Sequence, residues 1–118
     1  MQDIEELMDS MLTSVTYPCS QPPGRADEDT YLTWNETYCG SLTKASNAGT
    51  RIRHLVQIHG WSHLADSSHR AALKEAVQAV MDAGHRVIHW GPDDYEEDTG
   101  IHHIACTCEI VQVNVEEE

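Results

Sequence analysis

At 118 residues, with 40% apolar residues and no Phe, the chain has the size of one domain whose core must rest on Val, Ile, Leu, Ala and three Trp. Twenty Asp and Glu against seven Lys and Arg give a net charge of −13, which argues against a protein that grips nucleic acid by neutralising phosphates. The opening Met1-Gln-Asp-Ile-Glu-Glu is too acidic for a secretory leader, and no apolar run reaches membrane-spanning length. Synthesis in a reducing cytoplasm, with the four cysteines as free thiols, is the expectation.

Along the chain, Asp3 to Leu12 places Ile4, Leu7, Met8 and Met11 at helical spacing, with acids in the first turn where the helix dipole favours them. Thr16 to Asp29 holds three prolines and Gly24 and reads as an extended loop. Thr30 to Tyr38, rich in Tyr, Thr and Trp, reads as a strand, and Cys39 to Gly49 as a long polar connection. In the next strand, Thr50 to Trp61, Ile52, His54, Val56 and Ile58 share one face and Arg51, Arg53, Leu55, Gln57 and His59 the other. Gly60, at its end, marks a bulge or a close backbone approach.

Asp66 or Ser67 is placed to cap a helix running to about Ala83, with Ala72, Leu73, Ala76, Val77, Val80 and Met81 as its buried face and Gly84 as its left-handed terminator. A short strand His85 to Trp90, an acidic loop Gly91 to Gly100 and a long strand Ile101 to Val115 follow. The predicted fold is α+β: a two-layer sandwich of about four mostly antiparallel strands, with two helices packed on one face, in the order α-β-β-α-β-β. Residues 1–115 form the single domain, and Glu116 to Glu118 an acidic tail.

No residue set meets the demands of catalysis. His102, His103, Cys106 and Cys108 have zinc-ligand chemistry, but on a strand alternate side chains stand roughly 7 Å apart and cannot all reach one ion. Cys106 and Cys108 read instead as small buried hydrophobes. His59, His63 and His69, with Asp66, form a second loose group that lacks any helix-based metal motif and reads as edge and loop histidines. There is no Gly-x-Ser-x-Gly elbow, no phosphate loop, and no calcium spacing in the acids Asp93 to Asp98. Trp34 reads as core, and Trp61, beside Gly60 and Ser62, as an anchor for a neighbouring molecule.

Taken in order, Tyr31-Leu-Thr-Trp34, Val56-Gln-Ile-His-Gly-Trp-Ser62, Ala83-Gly-His-Arg86 and Tyr95-Glu-Glu-Asp-Thr-Gly-Ile-His-His103 resemble the tail completion, or tail terminator, proteins of long-tailed bacteriophages. The resemblance covers about Thr30 to Ala105 and rests on Val56, Gln57, Trp61, Ser62, Ala83, Gly84, Arg86, Tyr95, Glu96, Asp98, Thr99 and His103. His59 stands where the family pattern has Asp, Gly60 where it has Ile, His85 where it has an aromatic, and His102 where it has Tyr.

The resemblance implies a non-enzymatic virion protein at the head–tail interface, assembled in the host cytoplasm. Its subunits would form a homo-oligomeric ring, a hexamer, between the tail tube protein and the head–tail connector protein. DNA would pass nearby without specific binding, and neither cofactor nor membrane is implied. Elements free to make such contacts supply the candidate interface residues: Cys39, Ser41, Lys44 and Asn47 in the connection, Trp61 and Ser62 at the strand end, and Tyr95, Glu96 and Asp98 in the acidic loop. Two rival classes are a small acidic binding or inhibitor protein and a His/Cys metal-binding protein.

Overall fold

The computed structural model describes residues 3–21, 28–41 and 50–114. The elements are α1 (Ile4–Met11), a 3₁₀ turn (Leu12–Ser14), β1 (Cys19–Ser20), β2 (Thr30–Ser41), β3 (Thr50–Ser62), α2 (Ser68–Asp82), β4 (Arg86–Glu96) and β5 (Ile101–Asn114). They form one five-stranded sheet in the spatial order β1-β2-β3-β5-β4. The α+β class stands, but the expected four-stranded order α-β-β-α-β-β does not. The fifth strand, β1, pairs parallel to β2 inside the proline-rich segment read as loop. A two-residue strand carries no alternation to read, and it is recruited because the carbonyl of Pro18 accepts the amide of Leu32 at 2.8 Å.

Strand β3 is the spine, pairing antiparallel with β5 along its whole length and with β2 from Ile52 to Ser62. Alternation then sorts the side chains. His54, Val56, Ile58, Gly60 and Ser62 are buried beneath the helices, whereas Arg53, Leu55, Gln57, His59 and Trp61 lie on the opposite, helix-free face, half-buried. Partner strands obey the same parity, so Leu32, Trp34, Cys106, Cys108 and Ile110 join the buried layer. Helix α2 covers it with Ala72, Leu73, Ala76, Val77 and Val80, and α1 adds Met8, with Leu12 from the 3₁₀ turn. Met81, expected in that face, is exposed.

At its start α2 departs from the expected cap. Ser67, in the N-cap position, has φ 66° and makes no side-chain cap bond, while Asp66 accepts the amide of Ser68 at 3.0 Å. At its end, Gly84 has φ 93°, its amide bonds to the carbonyl of Met81 at 2.9 Å, and that of His85 bonds to Val80 at 3.2 Å. These two bonds make the Schellman stop expected of a glycine in this place.

Helix α2 bridges β3 to β4, leaving β5 between them in the sheet. Its 15 residues span about 22 Å. The 14 residues of β5 reach about 46 Å, consistent with a molecule 54 × 23 × 23 Å across. The sheet therefore runs well past the helical layer. Strand β4 extends to Glu96, so the expected loop Gly91 to Gly100 is mostly strand, and the turn is confined to 97–100. Two register shifts, between Val87 and His89 and between Trp90 and Asp93, hide this strand from any period-two reading.

Two glycines test this frame. A Cβ on Gly84 would meet nothing within 4 Å, so Gly84→Val should cost only the left-handed backbone, about 1 kcal/mol or more. That corresponds to a fall of about 4–8 °C in melting temperature. A Cβ on Gly60 would run into the carbonyl oxygen of His69, so Gly60→Ala should cost more, about 1–3 kcal/mol, by levering α2 off β3. Thermal melts followed by circular dichroism check both, and a Gly60→Ala protein as stable as the wild type would contradict the close approach at Gly60.

Candidate assembly interface

The helix-free face carries an aromatic ladder at one end. Strand pairing sets Tyr31 opposite Trp61 and Trp61 opposite His103, and the rings stack with centroids 6.2 and 4.0 Å apart. His59, two residues before Trp61 and hence on the same face, stacks on His103 at 5.0 Å and lies 2.7 Å from its Nε2 through Nδ1. Trp61 donates its indole N–H to Thr33 Oγ1 at 2.9 Å, which fixes its ring against the sheet. Farther along, Glu109 accepts from Arg53 at 2.5 Å and from Arg86 at 2.7 Å. The hydrogen bonds from Arg86 and Arg53 hold its carboxyl below the usual range. This face is thus a rigid, largely polar surface with one aromatic end.

The expected interface residues scatter around this frame. Trp61 belongs to the ladder. Ser62 offers no surface: it is fully buried, within 2.9 Å of Thr30 Oγ1, and it accepts the amide of Leu64 at 3.0 Å. Cys39 is exposed on β2, and Ser41 closes that strand, whereas Lys44 and Asn47 lie outside the described residues. Tyr95, 54% exposed, leans on His102 at 4.6 Å. Glu96 ends β4 and accepts from Thr99 at 3.0 Å, and Asp98 is exposed in the following turn.

Strand β4 matters more than composition suggested. Among the described residues it is an edge strand, paired only with β5, and it exposes Ile88, Trp90 and Tyr95. Pro92 sits within it, where an edge tolerates the missing N–H. An almost wholly apolar cleft of about 380 Å³ opens beside Trp90, lined by Leu73, Ile104, Arg70 and Lys74. The signal that could have exposed this patch was Trp90 itself, a large aromatic in a strand too irregular to assign to a face.

A second cleft, of about 290 Å³, lies at the start of α2, lined among others by His69, Arg70, Asp93, Tyr95 and His102. His69 is buried and places Nε2 2.8 Å from Asp93, with Nδ1 left without a hydrogen-bond partner among the described residues. Burial works to raise Asp93, but the bonds from His69 and Arg70 outweigh it and the carboxyl titrates below its ordinary value. These groups tie α2 to β4.

The groups considered for metal chemistry do not converge. His102 faces His69 and Tyr95, His103 lies on the opposite side of the sheet, and Cys106 and Cys108 are buried in the core with sulfurs 3.9 Å apart. The neighbouring thiol of Cys108, together with burial, pushes Cys106 well above an ordinary thiol. His63 is exposed, and Asp66 is engaged with Ser68. A different trio does meet, Glu36, Cys39 and His54, whose ligand atoms all lie within 4.8 Å of one another.

Burial, with each other's charge in the case of His59, holds His59 and His103 below the usual imidazole value, although Asp94 and Glu96 pull His103 partly back. The unfolded chain therefore binds protons at about pH 6.5 that the folded ladder takes up only at lower pH. Stability should fall as the pH drops from neutral through that value, and His85, lowered by burial and by His54, adds to the slope. His103→Gln should flatten the dependence of melting temperature on pH between about 7 and 5.5. An unchanged slope would show that the ladder does not sense protons.

No protein-family model matches the chain, and no curated protein matches it. Among solved structures, a chain from the virion of a native gene transfer agent particle is similar to it at 16% identity and a TM-score of 0.47, covering 94% of this chain and 85% of that one.

Proposed function

We propose that this protein is a non-enzymatic, ring-forming subunit of a phage-like virion, which completes the tail tube and joins it to the head connector. The observation that carries the reading is that the sheet has, among the described residues, two unlike open edges. One is β4, with exposed Ile88, Trp90 and Tyr95 beside an apolar cleft. The other is the far half of β2, because β1 pairs with only Leu32 and Thr33 and leaves the stretch from Asn35 onward without an outer partner among the described residues. Unlike surfaces that meet head to tail generate closed rings when the rotation between them closes. Edge strands are ready templates for such pairing. The order of motifs from Tyr31 to His103, which resembles tail completion proteins, supports the same reading.

The charge has a role in such a ring. Asp94, Glu96, Glu97 and Asp98 are exposed around the β4–β5 turn, and the chain carries −13 overall. An acidic wall repels a duplex and lets it slide past without adhering. In this reading the ring is a hexamer, its other partners are the tube and connector proteins, and the protein resides at the head–tail junction of the particle.

Native mass spectrometry and electron microscopy of the purified chain, alone and with tube protein, test the reading. The wild type should give closed rings of one size. Trp90→Lys removes an aromatic anchor and puts a charge on the edge, and should weaken subunit association at least about thirtyfold, the equivalent of roughly 2 kcal/mol. Its melting temperature should stay within a few degrees of the wild type, since Trp90 is half exposed. A wild-type chain that stays monomeric under both conditions would overturn the ring and favour a small acidic binding protein.

A further inference from the structure

The register of β2 changes at Thr37. Glu36 pairs with Val56, and Tyr38 pairs with Leu55, so Thr37 is the extra residue of a bulge. Its hydroxyl donates to the carbonyl of Leu55 at 3.2 Å, pinning the bulge to β3. In a regular strand, residues three apart point to opposite faces. The extra residue cancels that parity and returns Cys39 to the face of Glu36. Cys39 pairs directly with His54, which shares the face of Val56. A thiol, an imidazole and a carboxylate are thereby gathered at one point on the rim of the helical layer.

We propose that Glu36, Cys39 and His54 form a binding site for a zinc-class metal ion, closing the bulge between β2 and β3. Their ligand atoms lie within 4.8 Å of one another, and ligands at 2.0–2.3 Å around a tetrahedral ion stand about 3.3–3.8 Å apart. Closure needs a shift of about an ångström, and the two exposed side chains, Glu36 and Cys39, are free to make it. His54 is held in advance. It is buried, and its Nε2 lies 2.9 Å from Gln112 Oε1, an acceptor that takes the ring N–H and leaves Nδ1 directed at Glu36. Such an outer partner fixes the tautomer of a metal-binding histidine.

Nδ1 and Glu36 Oε2 are 2.5 Å apart, so both ligand atoms already converge on one point, and an ion between them would spread them to about 3.3 Å. One sulfur, one nitrogen and one oxygen suit zinc or cobalt and disfavour magnesium and calcium, which take oxygen ligands. Three protein ligands leave a fourth position for water or for a donor from another molecule. The site does not depend on the ring reading.

Cobalt(II) and zinc(II) salts alone serve as probes, with the full chain reduced and free of any tag. Cobalt should bind at one equivalent and produce a near-ultraviolet thiolate-to-metal band that zinc bleaches. Cys39→Ser, an exposed substitution that leaves the core untouched, should abolish the band and weaken zinc binding at least tenfold in competition with a chromophoric chelator. His54→Gln should do the same, whereas Cys19→Ser, outside the trio, should change neither. Zinc should also raise the melting temperature of the wild type and not of Cys39→Ser. Absence of the band in the wild type, its survival in Cys39→Ser, or its loss in Cys19→Ser would each overturn the site.

Discussion

Gly60 lets the first turn of α2 lie directly on the central strand, with the carbonyl of His69 where any side chain would stand. That contact sets the height of the helical layer over the sheet. Ser62, two residues on, is fully buried and accepts the amide of Leu64, so the chain turns off β3 without leaving a polar atom orphaned. At the other end of α2, Gly84 stops the helix, and the ring of His85 accepts the amide of Val111 at 3.3 Å. The helix is thereby clamped at both ends to β3 and β5, and the core of Val56, Ile58, Leu73, Val77, Cys106 and Cys108 closes between them.

The two faces of the sheet then take different work. Beneath the helices the packing is apolar, with Cys106 and Cys108 serving as small buried hydrophobes. On the other face the stabilising contacts are directional: stacked rings across three strands, and a carboxylate shared by two guanidiniums. This face gains from such contacts, because they rigidify the strands while satisfying polar atoms such as the Trp61 indole N–H. The edges remain the unfinished part of the molecule. Exposed aromatics on β4, with the cleft beside them, place apolar area where another chain can reach it.

The metal site lies on one of the two edges that the ring uses and away from the other. Glu36, Cys39 and His54 sit on β2 and β3, at the bulge, whereas Trp90 and Tyr95 lie on β4 at the opposite edge of the sheet. Changes at Trp90 can therefore be read without disturbing the metal site, since residues that share no partners act nearly independently, whereas changes at Glu36 or Cys39 also touch the open stretch of β2.

Elements whose signals are local could be read from the residues alone. The spacing of Ala72, Leu73, Ala76, Val77 and Val80 defined α2, Gly84 its end, and the alternation through His54, Val56 and Ile58 the buried face of β3. Close backbone approach at Gly60 and burial of Trp34 were legible for the same reason, as was the fate of Cys106 and Cys108. Features that depend on register emerged only once the strands were paired. A two-residue parallel strand has no period, and β4 loses its period at two bulges, so the fifth strand and the exposed edge at Trp90 were hidden. Ser62 read as surface because its partners, Thr30 and the Leu64 amide, are known only once the strands pair. The trio of Glu36, Cys39 and His54 was invisible because one extra residue, Thr37, inverts the parity on which every face assignment along a strand depends.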